Sequence, residues 1–436
     1  MTQPVLALVW PLTVSNLSQN DRLVSLSPTD LFRPLECARG AVWLDSSLTR
    51  GNWGRTSLIA VDPVDELTPG NNSKSFYEKL NRIALDPNRT AIGFIGYEAC
   101  LPFLGLSATR TAPGIAPAHF YVYDRVLRYD HQSSTYDQPD WAEDLSRRIE
   151  QPVELKAVVS SLPPDIIPTV SRSEYLSRVE RIKWHIHEGD IYQANFTCRF
   201  DVHSDSLPFE VYERLRRLNP CPYGAFLNFG DHQVLSSSPE RMFLLDHDRI
   251  TSTPIKGTIE RGRDECAEHR NLERLINSEK DRAELLMIVD LVRNDLGKIA
   301  CTGTVKVDSL FRADVYSSLI HLMADISARV RPGISFTDIL RALLPGGSIT
   351  GAPKRRAVEI IDELEFGPRS VYTGCIGYLG GGRADFNIAI RTMVHTSSTY
   401  HIHAGGGIVA DSVPEYEFDE MQLKALNLFR AVGVDL

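Results

Sequence analysis

Carboxylates at helical spacing are the first residues in this chain that could do chemistry. In NSEKDRAELLMIVDLVRNDLG (277–297), Asp281 and Glu284 stand three apart and share a helix face, with Ser278 placed as N-cap. In DSVPEYEFDEMQLKALNLFR (411–430), Ser412 and Glu415 read as a capping box with Pro414 in the first turn, and Glu417, Glu420 and Lys424 share one face. Either face alone is ordinary solvated surface. If the two converge, their charges repel until a cation neutralises them, and Mg2+ suits that demand because it takes one or two protein carboxylates and leaves positions for an anionic substrate. No EF-hand spacing is present, which disfavours calcium.

Glycine clusters lie close to these helices in sequence. PGGSITGAPK (345–354) half matches a phosphate-binding loop, but Gly351 is followed by Ala352 and Pro353 where Lys and Ser/Thr are required. Pro353 suits a helix start, whose free N–H groups could hold a carboxylate. HAGGGIVADS (403–412) supplies a second backbone-rich turn just before the second acidic helix. A lone lysine, Lys256 in STPIKGTIERG (252–262), has the bland reading of a solvated loop charge.

The elements that position these residues show clear periods. Ser171 and Glu174 form a capping box, and Leu176, Val179, Ile182 and Ile186 recur at helical spacing until Gly189. IYQANFTCRF (191–200) alternates Tyr192, Ala194, Phe196, Cys198 and Phe200 against Gln193, Asn195, Thr197 and Arg199, the period of a strand with one polar face. In LIHLMADISARV (319–330), Leu322, Ala324, Ile326, Ala328 and Val330 share a face and leave His321 opposite, with Met323 and Asp325. Such alternation indicates antiparallel sheets.

The whole chain sets bounds on this. Its 436 residues exceed what one core usually supports, so the expected division is 1–150, a proline-bearing linker over 151–170 and a larger unit over 171–436. A net charge of −9 argues against a nucleic-acid partner. Seven cysteines without C-x-x-C or metal-ligand spacing read as reduced thiols. The opening MTQPVLALVWPL lacks a basic n-region and no apolar run spans a bilayer, so a cytoplasmic protein without membrane contact is expected.

GDIYQANFTCRF, SSSPERM, TPIKGT, DRAELLMIVDLVRNDLG, PGGSITGAPK, GCIGYL, IAIRTM and AGGGIVADS occur in the order found in the chorismate-utilising enzymes. The chain resembles that family over roughly 170–430, and WLDS and GFIGYE resemble its N-terminal region. The resemblance implies an α+β fold of antiparallel sheets stacked as a sandwich and flanked by helices. It implies that Glu284 and Glu420 bind magnesium with Asp281 and Glu417 in support. Tyr372, Arg391, Gly405, Gly406, Gly407 and Lys424 then hold chorismate's anionic groups, Thr350 and His321 line the reacting ring, and Glu240 assists loss of the ring hydroxyl.

Lysine at 256 resembles the members that aminate chorismate at C4, whereas the anthranilate-forming members carry a small residue there. The resemblance makes Lys256 a covalent nucleophile, which requires a neutral amine. Gln193 stands where isochorismate-forming members place a lysine that activates water, which favours ammonia as the second substrate. No G-x-C-x-G glutaminase motif is present, so a separate glutamine amidotransferase subunit is the expected partner. WLDS departs from the leucine-rich version that binds tryptophan in relatives, and Trp43 is expected either to fill that pocket or to be simple core.

Overall fold

The computed structural model describes residues 27–48, 54–70, 73–137, 145, 165–316 and 319–434. The opening twelve residues and linker residues 151–164 fall outside that range. Among the described residues the strands form an 11-stranded and a 10-stranded sheet, and every pairing between them is antiparallel.

Alternation along the strands divides the core into three layers. Val42, Ala225, Leu227 and Val234 of the larger sheet meet Ile92, Phe94, Tyr121 and Ile376 of the smaller one, which makes the sandwich interior. Ala194, Phe196, Cys198 and Phe200 turn outward onto the helices Arg172–His187, Lys354–Leu364 and Pro414–Val432. Leu322, Ala324, Ile326 and Ala328 turn outward on the other side, toward Glu279–Gly297 and Phe336–Leu343. The α+β sandwich flanked by helices is therefore the observed architecture.

Strands from both sides of the linker share both sheets. Val42–Asp45 pairs with Tyr223–Asn228 in one sheet, and Thr90–Ile95 pairs with Cys375–Gly380 in the other. The tail of the linker is itself a strand, Asp165–Pro168, paired with Gln193–His203. Prolines favoured an extended chain there, and an open sheet edge gave it hydrogen-bond partners.

Local signals fared unevenly. Ser171 and Glu174 form the expected capping box, and Ser278 Oγ accepts the Asp281 N–H at 3.3 Å. The Ser412–Glu415 capping box does not form: Val413 is the N-cap of Pro414–Val432, and the Ser412 hydroxyl donates to Glu417 Oε1 at 2.6 Å. The helix starts one residue later than the pattern requires, and the Ser412 hydroxyl oxygen accepts the Val409 N–H at 3.1 Å instead of a helix N–H. Tyr192 leaves the apolar face of its strand and is 73% exposed.

Trp43 is fully buried, with ring centroids 5.6 Å from Phe32 and 5.7 Å from Tyr212 and the Arg216 guanidinium 5.4 Å above it. Its indole fills its own pocket. Trp43→Ala is expected to cost about 3–5 kcal/mol in urea unfolding, the range for emptying a large aromatic site; a change below about 1 kcal/mol would mean the surroundings collapse into the space.

Candidate active site

Two sheet edges meet here. Ile255–Glu260 is the edge strand of the smaller sheet, and Gln193–His203 with Gly351–Ala352 forms an edge of the larger. The register of Ile255–Glu260 against Leu319–Arg329 shifts between Lys256 and Thr258, a bulge centred on Gly257 with φ of +75°. A side chain at 257 would be strained in that left-handed backbone and would also meet Asp281 at 3.0 Å. The bulge thus brings helix Glu279–Gly297 close to the strand, with Lys256 Nζ 3.9 Å from Glu284 Oε2.

Lys256 is not a solvated loop charge; its side chain is 15% exposed. Burial lowers its pKa from the ordinary lysine value. Glu284, Glu240 and Glu420 oppose that and Lys424 reinforces it, and the net shift is downward. Glu240 moves the other way: burial pushes its carboxyl up to about 7, against the Ile255 N–H, which donates to Oε1 at 3.4 Å, and against Lys256 and Ser348. A carboxyl that titrates near neutrality and a lysine with a lowered pKa therefore act on each other electrostatically.

Gln193 is fully buried, and neither its amide oxygen nor its amide nitrogen has a hydrogen-bond partner among the described residues. A Cβ on Gly407 would lie 2.7 Å from Gln193 Nε2 and 3.4 Å from Lys256 Nζ, so the glycine makes room for both head groups. The polar strand face that alternation marked is enclosed by the sandwich, with Asn195 and Thr197 buried as well. A buried amide without partners costs free energy that a bound ligand would recover.

Lys256 lies within electrostatic reach of both acidic helices, through Glu284 on one and Glu420 on the other. A Cβ on Gly406 would meet Glu417 Oε2 at 3.3 Å, Lys424 Nζ at 3.5 Å and Glu420 Oε1 at 4.0 Å. Lys424 pairs with Glu420 at 2.7 Å and donates to the Gly405 carbonyl at 3.1 Å. Burial raises the Glu420 carboxyl, but Lys424, Lys280 and Lys256 outweigh it and hold it below the usual range. Burial pushes Glu417 up, against its Ser412 bond and with Glu420 adding. Lysines thus do much of the neutralising, including Lys280, 3.9 Å from Glu284, which no sequence signal marked. Among the described residues no group of three or more His, Cys, Asp or Glu is arranged to hold a metal ion. One carboxylate from each of two helices, Glu284 part-buried and Glu420 exposed, is the kind of donor set that Mg2+ takes.

The remaining predicted residues sit on other elements. His321 is buried, bonded through Nδ1 to the Thr258 hydroxyl at 2.8 Å, and burial with the Arg391 charge lowers it to about 3. Arg391 is bonded to Asn219 Oδ1 and has no carboxylate partner among the described residues. Burial lowers its pKa, which a substrate carboxylate would reverse. Tyr372 stacks on His403 with centroids 5.2 Å apart, and burial raises its phenol. Thr350 spends its hydroxyl proton on the Gly346 carbonyl at 2.7 Å and keeps only acceptor capacity.

Comparison with known proteins decides the family. The model for chorismate binding enzymes matches residues 43–430. The chain belongs to the chorismate-binding enzyme family. It is 40% identical over 341 residues to aminodeoxychorismate synthase component 1 of Salmonella typhimurium, covering 76% of this chain and 74% of that one. It is 32% identical over 424 residues to anthranilate synthase component 1 of Archaeoglobus fulgidus, covering 94% and 98%. The crystal structure of anthranilate synthase component I from Streptococcus pneumoniae aligns with a TM-score of 0.76 at 30% identity, over 87% of this chain and 93% of that chain. Relatives of two product classes therefore share the family fold with this chain. No helix among its described residues is long and apolar enough to cross a membrane.

Sequence reasoning did not single out Thr258, although it closes the TPIKGT motif, or Lys280, although it lies in the first acidic helix, and it missed Asn219, Arg369 and Glu365, which lie in no motif. The Glu240 shift makes a prediction for this family member. A carboxyl raised to about 7 contributes stability that is complete below pH 4.5 and is lost as pH rises through 7. Glu240→Gln should therefore flatten the fall in unfolding free energy between pH 5 and pH 8 by up to about 3 kcal/mol in metal-free buffer. An unchanged slope would mean that Glu240 titrates as an ordinary surface acid.

Proposed function

We propose that this chain is the chorismate-aminating component of an aminodeoxychorismate synthase. It would convert chorismate and ammonia to 4-amino-4-deoxychorismate and water, the first step toward 4-aminobenzoate and folate. One observation carries the reading: a lysine with a lowered pKa lies beside a carboxylic acid raised to about 7, in an enclosure that also holds an unpartnered amide. A pair of groups whose environments pull their pKa values together is suited to acting as nucleophile and acid at one pH.

The chemistry follows from those positions. Neutral Lys256 attacks ring carbon C2, both ring double bonds shift by one position, and the C4 hydroxyl departs as water with a proton from Glu240. Ammonia then attacks C4, both double bonds shift back, and Lys256 leaves with its electron pair. The proton shed by the new ammonium returns to Glu240. Arg391 and Tyr372 hold a substrate carboxylate, His321 and Thr350 line the ring, and Gly405, Gly406 and Gly407 admit the substrate close to the backbone. Glu284 and Glu420 would hold Mg2+, with Asp281 and Glu417 in support, and the ion would supply charge to neutralise a substrate carboxylate.

A separate glutamine amidotransferase subunit is the proposed source of ammonia, which the "component 1" names of relatives support. Formation of anthranilate by amination at C2 is the alternative, favoured by the length over which the Archaeoglobus relative matches. Lys256 argues against it, because a lysine occupying C2 directs ammonia to C4.

Chorismate with ammonium and Mg2+ should give 4-amino-4-deoxychorismate by mass, and glutamine alone should give none until a glutaminase is added. Lys256→Ala should lose at least about 100-fold in rate, the scale of removing a covalent step, and leak an anthranilate-type product. Anthranilate as the main wild-type product would overturn the assignment. Turnover should also require Mg2+, and Glu284→Gln or Glu420→Gln should abolish most of it without unfolding the chain; full activity with chelator present would return both faces to solvated surface.

A further inference from the structure

Arg369 stands three residues before Tyr372 and outside every motif read from the sequence. It is 1% exposed, and its guanidinium commits all its N–H donors. Nε and Nη2 donate to Glu365 Oε2 and Oε1 at 2.9 and 2.7 Å. Nη1 donates to the Ile349 carbonyl at 2.8 Å and to Thr373 Oγ1 at 3.2 Å, and Nη2 reaches the Asn195 carbonyl at 2.6 Å. Those acceptors belong to three separate pieces of chain. Ile349 precedes Thr350, Asn195 lies two residues after Gln193, and Thr373 follows Tyr372.

Neighbouring contacts extend the same arrangement. Glu365 Oε1 also accepts the N–H and hydroxyl of Thr197, each at 2.8 Å. Glu98, from the N-terminal GFIGYE stretch, accepts the N–H groups of Arg369 and Ser370 at 2.7 and 3.0 Å. Ser370 and Thr373 hold left-handed backbone, φ of +57° and +62°, which a β-branched threonine adopts only when its surroundings enforce it. A buried ion pair kept for stability alone contributes little and has no need of two carbonyls and a hydroxyl from three segments.

We propose that Arg369 is a positioning residue of the candidate site. Its planar fork fixes the separation of the Gln193 strand, the Thr350 turn and the Tyr372 loop, because the angles between its donors are rigid. The proposal rests on the chorismate-amination reading, since those three segments carry the groups placed around the ring. A displacement of about 1 Å in such a wall lowers turnover on the order of 100-fold.

Two small clefts lined in part by Arg369 open to solvent, the route by which a guanidinium ion would reach the space that a truncated side chain leaves. In the full chain, Arg369→Ala should lose about 100-fold in kcat, with a smaller change in KM for chorismate. Guanidinium at millimolar concentration should restore part of that loss and leave the wild type unaffected. Because the single variant strands Glu365 without a partner, the double variant Arg369→Met with Glu365→Leu removes both charges together and keeps the core apolar. It should fold, show the same loss in kcat, and lose amide-exchange protection together at 193–197, 349–350 and 370–373. A folded variant with wild-type kcat, or with protection unchanged in those segments, overturns the proposal. If the wild type fails to aminate chorismate, the functional reading falls, and amide exchange still decides whether Arg369 sets these walls.

Discussion

An ammonium held out of water is the constraint around which this site is built. Desolvating a lysine costs several kcal/mol unless carboxylates compensate, and full compensation would leave the amine permanently charged. Here the balance is partial. Glu284, Glu240 and Glu420 attract Lys256 while burial and Lys424 work against its charge, and the outcome is a pKa below the ordinary 10.5. The same burial lifts Glu240 from 4.5 to about 7. Two groups that in water never share their neutral forms are brought toward a common pH, as covalent attack with protonation of a leaving hydroxyl requires.

The architecture supplies that balance through backbone geometry. Edge strands of two sheets face each other, and a glycine bulge lets the Glu279–Gly297 helix approach Lys256. Gly406 and Gly407 leave space for the head groups of the second acidic helix, Gln193 and Lys256. Glu98 and the Thr90–Ile95 strand tie the N-terminal segment into the same structure, so residues on both sides of the linker shape one enclosure. Sheet edges usually need protection from further pairing. In this chain helices Glu265–Ile276 and Glu279–Gly297 pack against one of them, and the strands Asp165–Pro168 and Gly351–Ala352 pair along the other.

Much of this was legible in the sequence because it rests on local rules. Alternation correctly sorted Ala194, Phe196, Cys198 and Phe200 from Gln193, Asn195 and Thr197, and it placed His321 opposite Leu322. It could not show that the polar face would be enclosed, since a period of two says which residues share a face and not what covers it. The capping box at Ser171 formed while the one at Ser412 did not, because the second helix takes Val413 as its N-cap and the Ser412 oxygen accepts the Val409 N–H. Arg369 was invisible for a related reason: its partners are scattered from Asn195 to Thr373, and no local spacing encodes them. The roles assigned to site residues came from family resemblance, and the geometry adds that Lys256 lies close to Glu284 and, across Gly407, to Gln193.

The most direct test of the account is the mass of the intact protein after incubation with chorismate and Mg2+ in the absence of ammonia. A nucleophilic Lys256 predicts an increase equal to chorismate less one water, located at Lys256 by peptide mapping and discharged when ammonium is added. An unmodified protein that still aminates chorismate at full rate would contradict it, and Lys256 would then act only through its charge.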